Sequence, residues 1–439
     1  MGRSPGFRSF GGKSFMSGHS IGRRHALALA AGMLAAPAVL RHARAADRSI
    51  RLGFISPRTG PIAGFGEADP FVLGAVKDRL AEGVVIGNRR YPVEILARDS
   101  QSNGNRAAEV ADGLIRGDKV DLLLASSTPE TTNPVSDQAE VNGVPCITTD
   151  TPWEVWFHGR QGSVAHPFDW TYHFFWGQTD LSAAYTGMWD AIPTNRRVGT
   201  LWGNDPDGVA LGDATRGLAP LYRKAGYEVV DLGLFPPMAG DFSAQIGDLK
   251  KAGVDIVSGV FIPPDFATFW TQCAQQGFRP KAVTAAKALL FPSAVEALGP
   301  RGAGLSSEVW WSPGHPFVSS LTGQSASAFC AAYTEATGRQ WTQPLGFKHA
   351  LIEVAFDVLR RTADIDHPEA IRDAIRGTDL RTLVGPVSWR QGPVPNVCTT
   401  PLVGGQWWPG TRFPYDLLVA NNQPAPFIPV QKGFAPLPG

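Results

Sequence analysis

The segment Ser49–Ile55 (SIRLGFI), which runs into Ser56-Pro57, opens an alternating series of strands and helices. Its apolar residues and the turn residues that follow them predict a short buried strand. Apolar residues recur at helical spacing in 107–115, and the next apolar runs, Val120–Leu124 and Cys146–Thr148, again predict strands. Continuous apolar strands separated by amphipathic helices predict a parallel sheet that is covered on both faces.

A second series of the same kind follows. Its strands are predicted at Tyr172–Trp176, Val198–Trp202, Glu228–Leu234, Val254–Val260 and Lys281–Ala285. Further helices are predicted at 319–337, 347–361 and 368–376. Two successive series predict an α/β protein with two doubly wound, Rossmann-like lobes.

Residues 1–45 have the three parts of an export signal. The pair Arg23-Arg24 precedes the apolar run Ala26–Leu40, and a small-x-small cleavage pattern follows at Ala43–Ala45. The arginine pair and the alanine-rich run resemble a twin-arginine signal. The alternative is a membrane anchor, but 15 residues are too few to span about 30 Å of hydrocarbon as a helix. We therefore expect an exported, periplasmic protein that is cleaved near Ala45.

The charge of the chain is uneven and argues against nucleic-acid binding. Residues 1–45 carry seven basic and no acidic residues, which leaves 33 basic against 39 acidic residues in the remainder. This mildly acidic body has no basic stripe of the kind that nucleic acids require.

Motifs that would indicate an enzyme are missing from the sequence after the signal. It has no G-x-S-x-G elbow, no H-E-x-x-H motif and no Walker loop. The stretch Gly64-Phe65-Gly66 lacks the third glycine of a dinucleotide-binding fingerprint, because Asp69 stands in its place. We expect neither catalysis, nor a cofactor, nor a metal ion.

Short motifs in a fixed order carry a family resemblance. They are Gly53–Pro61, Arg98–Ser102, Asp118–Asp121 before Ser126-Ser127, Pro134-Val135, Gly143–Pro145, Ala225–Val230 and Gly240–Ser243. In this order, behind an export signal and over roughly 50–383, they resemble the type I periplasmic binding proteins of the leucine/isoleucine/valine-binding family. The resemblance implies two α/β lobes that are joined by three crossovers and close on a ligand at the hinge.

The same resemblance implies the domain organisation and the partners. The N-terminal lobe is expected at 46–172 plus about 314–382, and the C-terminal lobe at 173–313 plus about 383–439. The chain would be a monomeric solute-binding component of an ABC importer, with a small-molecule solute and a membrane permease as partners. An alternative is a soluble sensor subunit that binds an amino acid or an amide and acts on a membrane kinase. Neighbouring permease and ATPase genes would favour transport.

Hydroxyl groups follow two predicted strands, at Ser126-Ser127 and at 148–151. Ligands of parallel sheets bind beyond the carboxyl ends of the strands, where helix N-termini favour anions. The alternative is that these hydroxyls only cap helices. Carried over from the family, the carboxylate-binding hydroxyls fall on Ser126 or Ser127, on Thr149 and on Thr151, and an aromatic contact falls on Phe65.

Two departures from the family pattern concern the identity of the ligand. Asp207 stands where the family usually has a tyrosine, and Lys287 stands where amino-acid binders have a glutamate for the ligand's ammonium group. A lysine would repel an ammonium and attract an anion, unless it is a solvated surface residue. Trp153, two residues after Thr151, could stack on an aromatic ring or belong to the core. The predicted ligand is a carboxylate, with an aromatic ring as a further expectation.

The cysteines after the signal form no CxxC pair and no zinc pattern. They are Cys146, Cys273, Cys330 and Cys398. An oxidising compartment permits a disulfide, so the sequence leaves open buried thiols or one structural bridge, with Cys330 and Cys398 as a candidate pair.

Overall fold

The apolar runs form the strands of two sheets in a computed structural model, which describes residues 48–438. The predicted export signal lies outside these residues. The strands are β1 Ile50–Ser56, β2 Val84–Ile86, β3 Arg89–Tyr91, β4 Val93–Asp99, β5 Leu122–Ser126, β6 Cys146–Thr149, β7 Thr171–Phe174, β8 Arg197–Gly203, β9 Glu228–Phe235, β10 Ile256–Phe261, β11 Ala282–Lys287, β12 Ser306–Val309, β13 Asp379–Thr382, β14 Gly385–Ser388, β15 Val397–Cys398, β16 Val403–Pro409 and β17 Tyr415–Asn421.

The helices lie between these strands as the alternating pattern predicts. They are α1 Asp69–Ala75, α2 Lys77–Glu82, α3 Gly104–Asp112, α4 Pro129–Asn142, α5 Trp153–Gly159, α6 Gln178–Trp189, α7 Pro206–Leu211, α8 Leu218–Lys224, α9 Ser243–Ala252, α10 Pro263–Gln275, α11 Pro292–Glu296, α12 Ala326–Thr337, α13 Pro344–Arg361 and α14 Pro368–Arg376.

The first sheet is parallel throughout and has the order β15-β7-β6-β5-β1-β4. The second has the order β17-β16-β12-β11-β10-β8-β9, in which β8 to β12 are parallel and β16 and β17 add an antiparallel edge. Every residue of β5, β10 and β11 is buried, as expected of strands that helices cover on both faces. The predicted α/β class with two doubly wound lobes is confirmed.

The chain passes between the two sheets three times. It builds β1 and β4 to β7 in the first sheet and β8 to β12 in the second, returns for β15, and ends with β16 and β17 in the second. The three crossovers that the family resemblance implied are therefore present in the described part of the chain.

The expected lobe boundaries need correction at two strands. A boundary at 172/173 would divide β7, yet the whole strand pairs with β6 in the first sheet, where Thr171 lies beside Cys146. The strand β15 was expected in the C-terminal lobe but pairs with β7, with Val397 beside His173. The strand β15 has only two residues, too few for its sequence to indicate which sheet it joins. Its lobe is known only from its backbone pairing.

The helix α13 joins the core of the first sheet to residues near the second. Fifteen of its eighteen residues are buried, and the Phe347 ring packs 6.1 Å from Phe174 and 5.1 Å from Trp310 between ring centroids. Phe174 ends β7 of the first sheet, and Trp310 directly follows β12 of the second. No helix between residues 48 and 438 is long and apolar enough to cross a membrane.

The four cysteines are free thiols in the structure, and all are buried. The candidate bridge between Cys330 and Cys398 does not form. Cys330 on α12 and Cys398 on β15 both belong to the hydrophobic core, and the Cys398 sulfur accepts a hydrogen bond from the Ser388 N–H at 3.3 Å. The alternative of small buried thiols therefore describes them.

Candidate functional site

The carboxyl ends of parallel strands from both sheets meet at one small cavity of about 40 Å³. It is lined by Phe65, Thr128, Asp150, Pro152, Phe175, Trp176, Asp207, Leu211, Val260, Ala286, Lys287, Leu290, Glu308 and Trp310. Most of these residues end a strand or follow its last residue closely. The cavity thus lies where doubly wound sheets bind ligands, beyond the carboxyl ends of their strands.

Aromatic rings form much of the cavity wall. The Phe65 ring meets the Phe291 ring edge to face, with centroids 4.9 Å apart. Phe175 lies between two indoles, 4.8 Å from Trp176 and 5.1 Å from Trp310. Phe65 follows β1 of the first sheet and Phe291 follows β11 of the second, so this pair bridges the two lobes.

Lys287 lies in the cavity wall with its ammonium group inside a ring of carboxylates. Its Nζ is 3.1 Å from Glu130, 3.1 Å from Asp205 and 2.9 Å from Asp207. Glu130 belongs to α4 beside the first sheet, whereas Lys287 ends β11 of the second. The ion pair with Glu130 therefore connects the two lobes, as the Phe65–Phe291 contact does.

The backbone near Gly208 holds Asp205 in place. Asp205 caps α7 by accepting the Gly208 N–H at 2.8 Å. A Cβ at Gly208 would come within 1.8 Å of the Gly203 carbonyl oxygen, so only glycine lets α7 approach the end of β8 this closely.

Burial and the attraction between the ammonium group and the carboxylates determine the pKa values in this cluster. Burial raises the pKa of Asp207 to about 7, although the Lys287 ammonium opposes this shift. Burial lowers the pKa of Lys287, but the carboxylates of Asp207, Glu130 and Asp205 outweigh it and hold that pKa well above its usual range. Lys287 is therefore charged, and its charge is already balanced by its neighbours.

The same three carboxylates are the group that could hold a metal ion among the described residues. One oxygen from each of Glu130, Asp205 and Asp207 lies within 4.8 Å of the others. The Lys287 ammonium group fills the position between them, so an ion would have to displace it. The cluster is thus an internal ion-pair network.

Asp150 also lines the cavity, directly after β6. It has a left-handed backbone with φ of 65°, and one carboxylate oxygen accepts the Ser127 hydroxyl at 3.4 Å. Burial raises the pKa of Asp150 to about 7, against the attraction of the Lys348 ammonium. Asp150 is therefore a carboxyl group that changes its charge near neutral pH.

Four polar atoms on the lining residues are buried without a hydrogen-bond partner among residues 48–438. They are Thr128 Oγ1, Asp150 Oδ1, Trp176 Nε1 and Trp310 Nε1. Buried polar groups in proteins nearly always have partners, because leaving them unpaired costs free energy. These four atoms lie on residues that line this one cavity, which makes it the candidate binding site among the described residues.

Comparison with known proteins agrees with this geometry. The sequence profile of the periplasmic binding protein family matches residues 49–398. The chain belongs to this family. No curated protein sequence matches the chain.

Solved structures of periplasmic binding proteins share the fold. The leucine-binding protein LivK of Thermotoga maritima is 20% identical, with a TM-score of 0.69 over 85% of this chain and 99% of that one. The branched-chain amino acid binding protein LivJ of Streptococcus pneumoniae, in complex with isoleucine, is 16% identical, with a TM-score of 0.64 over 89% and 100% of the two chains. A solute-binding protein of Rhodopseudomonas palustris in complex with 4-hydroxybenzoate is 17% identical, with a TM-score of 0.68 over 87% and 99%. These are binding proteins rather than enzymes.

Among the binding residues predicted from the sequence, Phe65, Asp207 and Lys287 line the cavity of this periplasmic binding protein. The expectation that Lys287 attracts an anion loses its basis, because three carboxylates surround its ammonium group. The alternative of a solvated surface lysine is wrong, since its side chain is only 5% exposed.

The predicted hydroxyl groups lie beside the cavity and bond to other groups. Thr149 donates its hydroxyl to the Phe174 carbonyl at 2.7 Å, and the Thr151 and Thr132 hydroxyls share a hydrogen bond of 2.9 Å. Ser127 donates to the Ser126 hydroxyl at 3.3 Å. These residues are one or two positions along the chain from Thr128, Asp150 and Pro152, which line the wall.

Trp153 begins α5 and also lies outside the cavity lining. Its backbone N–H donates to the Trp176 carbonyl at 3.1 Å, and its ring lies 5.9 Å from the His158 ring. Trp176, rather than Trp153, therefore lines the cavity.

Sequence reasoning missed Thr128, Asp150, Glu308 and Trp310. Thr128 and Asp150 directly follow the serine and threonine pairs that were singled out, and both have positive φ, 68° and 65°. A signal for Asp150 was available, because aspartate is favoured at helix caps and ligands of parallel sheets bind beyond the carboxyl ends of strands. Glu308 and Trp310 lie in and after a strand that was not predicted.

Replacing Asp150 with asparagine should stabilise the protein more at pH 8 than at pH 5. The pKa of Asp150 in the folded state, about 7, exceeds the ordinary aspartate pKa of 3.8, so the wild type loses stability as pH rises through this interval. Asparagine has no charge to bury, and we expect the gain at pH 8 to exceed that at pH 5 by about 1–3 kcal/mol.

The melting temperatures of Asp150→Asn and the wild type at the two pH values test this expectation. Glu94→Gln, on an exposed position of β4, matches the charge change of Asp150→Asn at pH 8 without relieving burial, and serves as the control. A difference between Asp150→Asn and wild type that does not vary with pH would show that Asp150 titrates normally.

Proposed function

We propose that the chain is the extracytoplasmic solute-binding component of an ABC importer and binds a small organic solute in the cavity between its lobes. The observation that carries this proposal is the set of unpartnered polar atoms around the cavity, contributed by strand ends of both sheets. A solute there would contact both lobes at once. Because it would contact both lobes only when the cleft is closed, it would stabilise the closed arrangement relative to the open one.

The cavity requires the lobes to move before a solute can enter. Its volume of about 40 Å³ is far below that of the roughly 150 Å³ cavity known to hold benzene. Two contacts hold the cleft closed, the Phe65–Phe291 ring pair and the Lys287–Glu130 ion pair. Opening of the cleft would separate both pairs. Contacts to a bound solute would replace part of the stabilisation that these pairs give to the closed arrangement.

The ligand that the sequence predicted was a carboxylate, with an aromatic ring as a further expectation. The aromatic wall formed by Phe65, Phe175, Trp176 and Trp310 supports an apolar or aromatic body. The Rhodopseudomonas palustris protein that binds 4-hydroxybenzoate has the same fold. The anionic part of the hypothesis rested on Lys287, whose charge the structure assigns to internal ion pairs, so we retain only the apolar or aromatic body.

The partners and the location of the protein belong to the same proposal. The three-part pattern in residues 1–45 supports export to the periplasm with cleavage near Ala45. A membrane permease would receive the solute from the closed monomer. We favour transport over a sensor role, which the family and the similarity to an ABC transporter substrate-binding protein of Sphaerobacter thermophilus support.

Purified residues 46–439 test the proposal directly. We expect a library of amino acids, amides and aliphatic and aromatic carboxylates to contain a solute that stabilises the protein by about 2.7 kcal/mol at 100 times its dissociation constant. Small-angle X-ray scattering should show a narrower distribution of lobe separations with that solute. A solute that binds equally well after Trp310→Ala and Phe175→Ala would place the binding site elsewhere.

A further inference from the structure

A second cavity, of about 300 Å³, lies in the C-terminal lobe and shares no described lining residue with the cavity between the lobes. Its walls are formed by α10, by the segments that lead into β11 and β12, and by Leu437 and Pro438. The amino ends of β11 and β12 lie here, whereas their carboxyl ends reach the cavity between the lobes. The two cavities are therefore at opposite edges of the second sheet.

Apolar side chains form the floor of this second cavity. Trp270 on α10, Ala303 and Leu437 line it and pack on the hydrophobic core of the C-terminal lobe while remaining partly exposed, and Phe278 is buried beside them. The volume is about twice that of the roughly 150 Å³ cavity known to hold benzene. An aromatic ring therefore fits, with room for a polar substituent.

Arg279 and Arg301 are the charged residues among the described residues that line the second cavity. Both are exposed, and neither forms an ion pair with a carboxylate of residues 48–438. The Arg301 guanidinium donates to the Thr271 hydroxyl at 3.3 Å. In the same lobe, by contrast, Arg197 pairs with Glu228 at 2.9 Å. The cavity thus combines an apolar floor with positive charge that no carboxylate balances.

Hydrogen bonds hold the walls of the second cavity in place. The Trp270 indole N–H donates to the Arg301 carbonyl at 2.9 Å, which joins α10 to the segment before β12. The Leu437 N–H donates to the Lys281 carbonyl at 2.8 Å, which holds Leu437 beside β11. Binding in a preformed site costs less free energy, because fewer groups must be ordered.

The charge of this cavity favours an anionic ligand. A cation would be repelled by both guanidinium groups, and an uncharged ligand would gain no attraction from them. Guanidinium groups bind carboxylates and phosphates with two parallel hydrogen bonds, which are stronger than those between neutral groups. One arginine in contact with the anion is enough, because the charge of the other adds attraction at longer range.

We propose that the second cavity is a separate ligand site for a small aromatic anion. The ring packs on the floor beside Trp270, and a carboxylate or phosphate group accepts hydrogen bonds from Arg279 or Arg301. This site adds to the proposed function and does not depend on it, because the cavity between the lobes contributes no residue to it.

The Trp270 indole N–H, which lies in the wall of the second cavity, reports on binding there. Its nuclear magnetic resonance signal in isotope-labelled residues 46–439 is assigned with Trp270→Phe. The probes, at constant ionic strength, are benzoate and phenyl phosphate as aromatic anions, acetate as an anion without a ring, and benzyl alcohol as a ring without charge. We expect the better aromatic anion to shift this signal saturably and to bind about tenfold more tightly than acetate or benzyl alcohol, since each control lacks one contribution.

Variants separate the arginines from general charge and from the cleft. Replacing both Arg279 and Arg301 with glutamine should weaken binding of that anion by about tenfold, and at least one single replacement by about threefold. Two replacements of Arg223, to glutamine and to alanine, are the controls, because Arg223 is exposed on α8 of the same lobe. They and Trp310→Ala, which alters the cavity between the lobes, should leave the Trp270 response unchanged.

No shift of the Trp270 signal with either aromatic anion at about 20 mM, a concentration that detects even weak binding, would overturn the inference. Equal affinity for acetate or benzyl alcohol, or unchanged affinity after both arginines are replaced, would also overturn it. The proposed function is judged separately, by the effects of Trp310→Ala and Phe175→Ala on the solute found in the wider library.

Discussion

Lys287→Met is expected to destabilise the protein by about 3–5 kcal/mol at pH 8, the range measured when one partner of a buried ion pair is removed. The ammonium group lies within 3.1 Å of carboxylates on Glu130, Asp205 and Asp207, and its side chain is 5% exposed. Methionine fills a similar volume but leaves three carboxylates close together with no cation between them. Their repulsion and desolvation then oppose folding.

The measurement is urea unfolding at pH 8 and pH 5, with scattering to follow the lobes. At pH 5 the remaining carboxyl groups can take up protons, so the effect of Lys287→Met should shrink as pH falls. The loss of the ion pair with Glu130, which joins the lobes, should also raise the radius of gyration without ligand.

Lys281 is the control for Lys287, because it directly precedes β11, the strand that Lys287 ends. Lys281 pairs with Asp255 at 3.0 Å, but its side chain is 48% exposed. Lys281→Met should therefore cost less than about 1 kcal/mol, as exposed pairs do. Equal effects of the two substitutions would show that the Lys287 cluster is as well solvated as the surface pair.

Lys348→Met should be comparably severe, with a cost of about 3–5 kcal/mol. Lys348 lies on α13 with a fully buried side chain, and it donates to Asp69 on α1 and to the Ser56 hydroxyl at the end of β1. Removing the ammonium would leave the Asp69 carboxylate, which is 1% exposed, without its cation. The substitution would loosen the contact between α13 and the first sheet.

The double variant Lys348→Met with Asp69→Leu provides the control, because it removes both charges together. Unfolding in urea should show most of the lost stability restored in the double variant, since replacing both partners of a buried pair with apolar residues is often neutral. The Lys348 ammonium also lowers the pKa of Asp150. An undiminished loss in the double variant would mean that Lys348 acts through packing rather than charge.

The strand and helix pattern was largely readable from the chain because burial determines it locally. The predicted helix at 368–376 has the observed bounds of α14, and the predicted strand at Val198–Trp202 lies inside β8. These elements have apolar runs or periodicities that only one regular structure can bury. In contrast, β12 and β15 were not predicted as members of their sheets. They are short, and their backbone pairing rather than their side chains places them.

The sequence indicated the region of the candidate site, but not all of its side chains. The hydroxyl groups predicted at the ends of β5 and β6 lie beside the candidate cavity, yet Thr128 and Asp150, rather than Thr149 and Thr151, line its wall. Successive side chains at a strand end point in opposite directions, and the positive φ of these two residues turns the chain again. A sequence motif carried over from a family does not resolve a difference of one residue.

By itself, the sequence determined the two series of strands and helices, the family, and the unusual presence of Asp207 and Lys287. Those features depend on residues close together in the chain, where apolar periodicity and short motifs are visible. Only the tertiary structure decided what Lys287 contacts, because Glu130 and Asp205 come from segments 157 and 82 residues away. A charge in a folded protein acts through its nearest neighbours, and the fold brings three carboxylates to this lysine from both sides of the cleft.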